Sequence, residues 1–147
     1  ANLPYYITSD ILEHIICSQA SLSSIHAMVQ KEVALKLTDT QYHSPLTFMI
    51  ESIGTISLDM HVSRNVFSPA PRVDSAIIAI HIHKEYNILL THLLKQAFTQ
   101  KRKTIYNNLK VIFGTNTKYI LEQCQIKENK RPEELKIEDY LKLTKYL

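Results

Sequence analysis

Past His83 the sequence stops alternating, and this change of period limits the fold more than any other feature. Before it, residues 55–62 alternate, which places Ile56, Leu58, Met60 and Val62 on one predicted face, and residues 73–83 form an isoleucine-rich run. These two predicted strands can pair antiparallel across the loop at 63–71. After it, residues 88–100, 104–113, 118–124 and 137–147 follow helical spacing, separated by Gly114, Asn116, Asn129 and Pro132. Further upstream the spacing predicts a helix over 9–18 with Thr8 or Ser9 as its N-cap, a buried strand over 24–29, and helices over 31–37 and 46–53. Residues 1–84 therefore read as the later strands of an α/β sheet and 85–147 as a helical domain. Such a sheet ordinarily holds further parallel strands, and this piece standing alone would leave an unpaired edge.

Charge divides at the same place. Residues 1–83 carry 4 Lys and Arg against 7 Asp and Glu, residues 84–147 carry 13 against 7, and the net charges are −3 and +6. A basic second part suits a polyanionic partner, because clustered cations gain affinity by releasing phosphate counterions; a solvated lysine-rich surface has the same composition. Cys17 and Cys124 stand far apart without CxxC spacing, so neither a zinc site nor a disulfide framework is expected, and a reducing, cytoplasmic setting is the natural reading. Residues 14–30 lack Asp, Glu, Lys and Arg, yet their Ser, Gln and His side chains make them too polar to span a bilayer.

Three stretches carry chemistry. In Asn2-Leu3-Pro4-Tyr5, asparagine offers a side-chain carbonyl, proline a backbone carbonyl read as free, and tyrosine a flat amphipathic ring, all just before a helix. Two acceptors and a stacking plane can hold the exocyclic amine of a flat heteroaromatic base and aim its nitrogen lone pair at an electrophile. The same four residues also make an ordinary turn in which Asn2 bonds locally and Tyr5 packs on a core. In Phe67-Ser68-Pro69-Ala70-Pro71, two prolines stiffen a loop and fix Phe67 in direction, either to close the other face of a flipped base or to plug a sheet end. Finally, Lys101, Arg102 and Lys103 are followed by Asn107 and Asn108 on a predicted helix, where cations and amides can meet RNA phosphates and sugar hydroxyls.

Other signals are negative. With Gly54 and Gly114 as its two glycines, the chain has no glycine-rich loop to bring backbone N–H groups against a nucleotide-type cofactor. His81 and His83 share a predicted strand face without a Cys or acidic partner at ligand spacing, so no metal site is expected.

In order and spacing, NLPYYIT, QKEVALKL, FSPAPRVDSAII, AFTQKRKTIYNNL and RPEELKIEDYLKL together resemble successive blocks of the small-subunit ribosomal RNA adenine N6-dimethyltransferases, over essentially all 147 residues. NLPY alone also occurs in the sister family that methylates large-subunit rRNA; the proline-rich loop with VDSA and the QKRKT stretch resemble the small-subunit type. The resemblance implies the C-terminal part of a Rossmann-like class I methyltransferase domain followed by a small α-helical domain. It implies S-adenosyl-L-methionine as donor, with the cofactor motifs preceding Ala1, and two adjacent adenines in a hairpin near the 3′ end of small-subunit rRNA as acceptors.

On that resemblance Asn2 and the Pro4 carbonyl receive the target amine and Tyr5 stacks on the base. Leu3 and Phe67 flank it, Asn2 also borders the methyl donor, and Lys101, Arg102 and Lys103 hold rRNA of the 30S subunit. A monomer lacking the donor-binding half, and so inactive alone, is the expectation; a noncatalytic RNA-binding or ribosome-assembly module and a large-subunit methyltransferase are the alternatives. One departure from the family is His43, where a glycine usually follows the tyrosine.

Overall fold

A computed structural model of the chain describes residues 1–18 and 21–147. These form two compact units, one of Ala1–Tyr42 with Ile50–Tyr86, the other of His43–Met49 with Asn87–Leu147. The helix α3 (Pro45–Ile53) thus gives its first part, to Met49, to the second unit and its last turn, from Ile50, to the first.

The first unit is built on a three-stranded sheet in the order β1-β3-β2, comprising β1 (Ser24–Gln30), β2 (Gly54–Val62) and β3 (Ser75–Ile82). Both pairings are antiparallel. β3 lies in the centre and is buried on both faces through Ala76, Ile78, Ala79 and Ile80, which is why it reads as a continuous apolar run rather than an alternation. β1 alternates, burying Ile25, Ala27 and Val29. Helix α1 (Thr8–Cys17) buries Leu12 and Ile16, while α2 (Lys31–Thr38) packs on all three strands with Ala34 and Leu37 buried.

Two expectations are corrected here. Ile56, Leu58, Met60 and Val62 do not share a face: a bulge between Leu58 and Met60 leaves Asp59 without a partner, and Met60 pairs with Ile77. One extra residue inverts every later side chain, so Met60 and Val62 turn to the opposite face and Met60 is 58% exposed. Nor does Thr8 or Ser9 cap α1. A 3₁₀ turn at Tyr5–Ile7 runs directly into the helix, Ile7 takes the cap position without a side-chain bond, and Thr8, already helical, donates its hydroxyl back to the Pro4 carbonyl at 3.0 Å.

Gly54 starts β2 opposite Ile82, and a Cβ there would collide with the backbone carbonyl of His81. Gly54→Ala is expected to lower the unfolding free energy by about 3 kcal/mol, because backbone on the central strand cannot step aside as a flexible side chain would. Urea denaturation checks this: the midpoint should fall at an unchanged slope.

The second unit contains α4 (Ile88–Ala97), α5 (Ile105–Phe113), α6 (Thr117–Gln123) and α7 (Ile137–Leu143). Leu90, Leu93, Leu94, Leu109, Leu121, Leu135 and Tyr140 form its core, and Phe48 packs within it at 5.1 Å from the Tyr140 ring. α4 ends three residues before its predicted end because the backbone of Gln100 is captured elsewhere, as described below; α7 gives way to a 3₁₀ turn at Thr144–Tyr146. His43 is used rather than merely tolerated: its Nδ1 bonds the Glu133 carbonyl at 2.7 Å and its ring lies 4.9 Å from Phe48. Among the described non-glycine residues Gln125 alone has positive φ, so this loop does not need glycine at position 43. No helix among the described residues is long and apolar enough to cross a membrane.

Candidate functional site

The chain reaches the NLPY stretch alongside β1. Met28 donates its N–H to the Ala1 carbonyl at 2.8 Å and accepts from the Leu3 N–H at 3.1 Å, a short parallel bridge. Pro4, lacking an N–H, cannot extend this ladder, and the backbone turns into the 3₁₀ segment. Leu3 is buried at 7% exposure and anchors the turn, whereas Asn2 is exposed, and none of the described residues bonds its side-chain amide. The Tyr5 hydroxyl bonds Ser75 Oγ at 2.5 Å; Ser75 is fully buried at the start of β3, so the ring is held from its far end.

Residues 63–74 are clipped shut from both ends. Arg64 donates its backbone N–H and its Nε to Asp74 Oδ1 at 3.0 and 3.2 Å, and its Nη1 to the Arg72 carbonyl at 2.7 Å. The backbone N–H of Arg64, above all, holds the Asp74 carboxyl below its usual range, with the guanidinium charge and side-chain bond assisting. The Asp74 carbonyl in turn accepts from the Lys31 N–H at 3.0 Å. On this loop, where the Ser68–Pro69 peptide is cis, Phe67 is half-buried.

The two motifs meet. Asn2, Leu3, Pro4, Tyr5, Met28, Phe67, Pro69 and Pro71 line one open cavity of about 250 Å³, a size that takes a single bicyclic base. A larger cavity of about 580 Å³, lined by Ile15, Ile53, Ile82 and Tyr86 among others, contains none of the predicted site residues. The Pro4 carbonyl is not free as expected, since it accepts both the Ile7 N–H at 3.3 Å and the Thr8 hydroxyl at 3.0 Å.

Lys101, Arg102 and Lys103 lie in the second unit, all exposed, in the turn between α4 and α5. Thr104 caps α5 by accepting the Asn107 N–H at 3.3 Å. Asn108 was expected among the RNA-facing amides, but it is 2% exposed and faces inward. Its Oδ1 accepts the Gln100 N–H at 3.0 Å, and its Nδ2 donates to the carbonyls of Gln100, Lys103 and Thr104 at 3.2 to 3.4 Å. A buried amide so saturated has nothing left for a ligand; it shapes the backbone that carries the three cations.

Sequence reasoning missed Thr8, Ser75, Asp74 and Asn108 as supports. Asn108 left a signal, for it lies on the same helical stripe as Ile105 and Leu109. Ser75 opens a buried apolar run, where a hydroxyl needs a partner. Among the described residues no three His, Cys, Asp or Glu side chains converge as a metal site.

A sequence profile described as "Ribosomal RNA adenine dimethylase" matches residues 1–147. Proteins named "Ribosomal RNA small subunit methyltransferase A" are similar: that of Streptococcus thermophilus is 35% identical over 98% of this chain and 55% of its own length. That of Fusobacterium nucleatum is 35% identical over 99% of this chain and 59% of its own. The chain thus spans a little over half the length of these relatives. Among solved structures, a dimethyladenosine transferase from Plasmodium falciparum superposes with a TM-score of 0.81 at 26% identity, covering 97% of this chain and 63% of that one. The 23S rRNA methyltransferase ErmE shares the fold, with a TM-score of 0.67 at 23% identity over 99% of this chain and 63% of its own. The sheet of the first unit is accordingly the C-terminal part of a Rossmann-like methyltransferase domain, and a small α-helical domain follows it. From the profile match over its whole length and the 35% identity to two bacterial relatives, the chain belongs to the ribosomal RNA adenine dimethylase family.

Proposed function

We propose that this chain supplies the substrate-holding part of an enzyme that dimethylates the N6 amines of two adjacent adenines in a small-subunit rRNA hairpin, as a step in ribosome biogenesis. The observation that carries this reading is the convergence of Asn2, Pro4, Tyr5 and Phe67 on one cavity of about 250 Å³. We assign Asn2 Oδ1 one amine N–H and the Pro4 carbonyl the other, in competition with its bonds from the Ile7 N–H and the Thr8 hydroxyl, while Tyr5, fixed through Ser75, and Phe67 take the faces of the extruded base. Holding both N–H bonds keeps the nitrogen lone pair out of the ring system, so no strong general base is required.

S-adenosyl-L-methionine, when bound, supplies the electrophilic methyl group. Of this chain's residues we assign Asn2 to border it. The two glycines, at the start of β2 and the end of α5, form no cradle of N–H groups, so the greater part of the donor site falls to residues other than these. Lys101, Arg102 and Lys103 hold the rRNA backbone of the small subunit. The setting we assign is cytoplasmic and the working form a monomer.

The test joins this chain to the donor-binding first part of the Streptococcus thermophilus relative and follows methyl transfer to 30S and, separately, 50S subunits lacking the modification. N6,N6-dimethyladenine in small-subunit rRNA is the expected product. RNA binding without transfer would instead favour a noncatalytic assembly module, and product in large-subunit rRNA would favour the sister activity. Replacing Lys101, Arg102 and Lys103 by Gln is expected to weaken RNA binding and reduce the salt slope of log K by about two. An unchanged slope in a filter-binding titration would return these cations to a solvated surface.

A further inference from the structure

Lys101, Arg102 and Lys103 stand in a turn that their own sequence does little to hold. The Lys103 N–H donates to the Gln100 carbonyl at 2.9 Å and closes Gln100-Lys101-Arg102-Lys103 into a β-turn, yet none of the four is a Gly, Pro, Asn, Asp or Ser. Like charges on three successive residues oppose this compact shape further. All three cationic side chains are exposed, and none forms an ion pair among the described residues.

The turn is held from α5. Asn108, 2% exposed, accepts the Gln100 N–H on Oδ1 at 3.0 Å and donates from Nδ2 to the Gln100, Lys103 and Thr104 carbonyls at 3.2, 3.4 and 3.2 Å. The amide thus grips the first residue of the turn by both backbone groups and the last by its carbonyl. Its own backbone is fixed as well, because its N–H donates to the Thr104 carbonyl at 3.1 Å and its carbonyl accepts Gln96 Nε2 at 3.1 Å. Among the described residues no other side chain bonds the backbone of residues 100–103. A turn already closed before RNA arrives spares the binding step the ordering of its backbone.

We propose that Asn108 is a positioning residue for RNA: by closing the Gln100–Lys103 turn it presents Lys101, Arg102 and Lys103 to RNA phosphates from one fixed backbone, and so raises affinity without touching RNA. This rests on the RNA-holding role proposed above for the three cations. It separates two contributions that composition alone merges. The cations set how many counterions are released, and Asn108 sets how much ordering remains to be done when they bind.

The test uses the joined protein described above and small-subunit rRNA lacking the modification, with filter-binding titrations over a range of salt on protein shown to be folded by circular dichroism. Asn108→Ala should weaken binding about tenfold and leave the salt slope as it was, the opposite of the lowered slope expected when the cations themselves are replaced by Gln. In that Gln background Asn108→Ala should change affinity by less than about twofold, because no charge is left for the turn to place. An unchanged affinity in Asn108→Ala alone, or an undiminished loss in the Gln background, would make Asn108 a scaffold residue and overturn the proposal while the RNA-holding reading stands. Should Asn108→Ala not fold, hydrogen exchange on the unsubstituted protein decides: the Gln100 and Lys103 amides should be protected without RNA and gain little from it, and protection that appears only with RNA would overturn the proposal. Gln substitution of the three cations that leaves RNA binding untouched would remove the RNA-holding reading, and this inference with it.

Discussion

Asn2→Ala, in the protein completed with a donor-binding segment, is expected to lower the rate of methyl transfer by about a hundredfold while changing RNA affinity by less than about twofold. The asymmetry follows from where Asn2 sits. Its backbone is held by the neighbouring Ala1 and Leu3 bonds to Met28, so truncating the side chain leaves the turn in place. The side chain itself is exposed and bonded to nothing among the described residues, so it contributes little to folding and is available to a ligand. On the proposed reading, what is lost is one of two oriented acceptors for the amine. That matters most when positive charge develops on nitrogen in the transition state, and hardly at all for the RNA-backbone contacts proposed for the cations of the second unit. Single-turnover transfer and filter binding on the same RNA separate the two effects; matched losses would remove the gripping role from Asn2.

Tyr140→Ala is expected to lower the unfolding free energy by about 4 kcal/mol, the usual range for emptying a fully buried aromatic site. The ring is 0% exposed, with Phe48 and Phe98 at centroid distances of 5.1 and 6.4 Å, and its hydroxyl donates to the Pro132 carbonyl at 2.8 Å. Burial, first of all, pushes the phenol well above the usual value of 10.0, with the charges of Glu133 and Asp139 acting in the same direction. The group therefore stays protonated in the fold while the unfolded chain ionises near its ordinary value. Its contribution is fully present below that value and declines as pH rises beyond it. Tyr140→Phe should cost about 1 kcal/mol at neutral pH and flatten the alkaline part of the stability profile, which denaturation series between pH 8 and about 11 would show.

Periodicity carried most of the fold because it reports burial directly: the run in β3 and the helical stripes of the second unit are each written in the positions of Ile and Leu. The bulge at Asp59 was hidden because it depends on which residues of β3 stand opposite, a nonlocal fact that leaves the alternation of β2 untouched. The lining of the candidate cavity was legible as residue types, not as contacts. Asn2, Pro4, Tyr5 and Phe67 could be named, yet the occupation of the Pro4 carbonyl depends on whether the turn before α1 is helical enough to bring Thr8 within reach. Asn108 was misread because it follows a surface amide, Asn107, and one step of about 100° around the helix carries a side chain from the surface onto the buried stripe.

The assignment of His43–Met49 to the helical unit has a practical corollary for dissection. A fragment beginning at Asn87 would carry Tyr140 and Phe98 but lack Phe48 and the His43 tether to Glu133, so a clean cut at the apparent border yields a product with a hole in its core. Exchange of Asn87–Leu147 between relatives is expected to meet the same obstacle unless His43–Met49 travels with it.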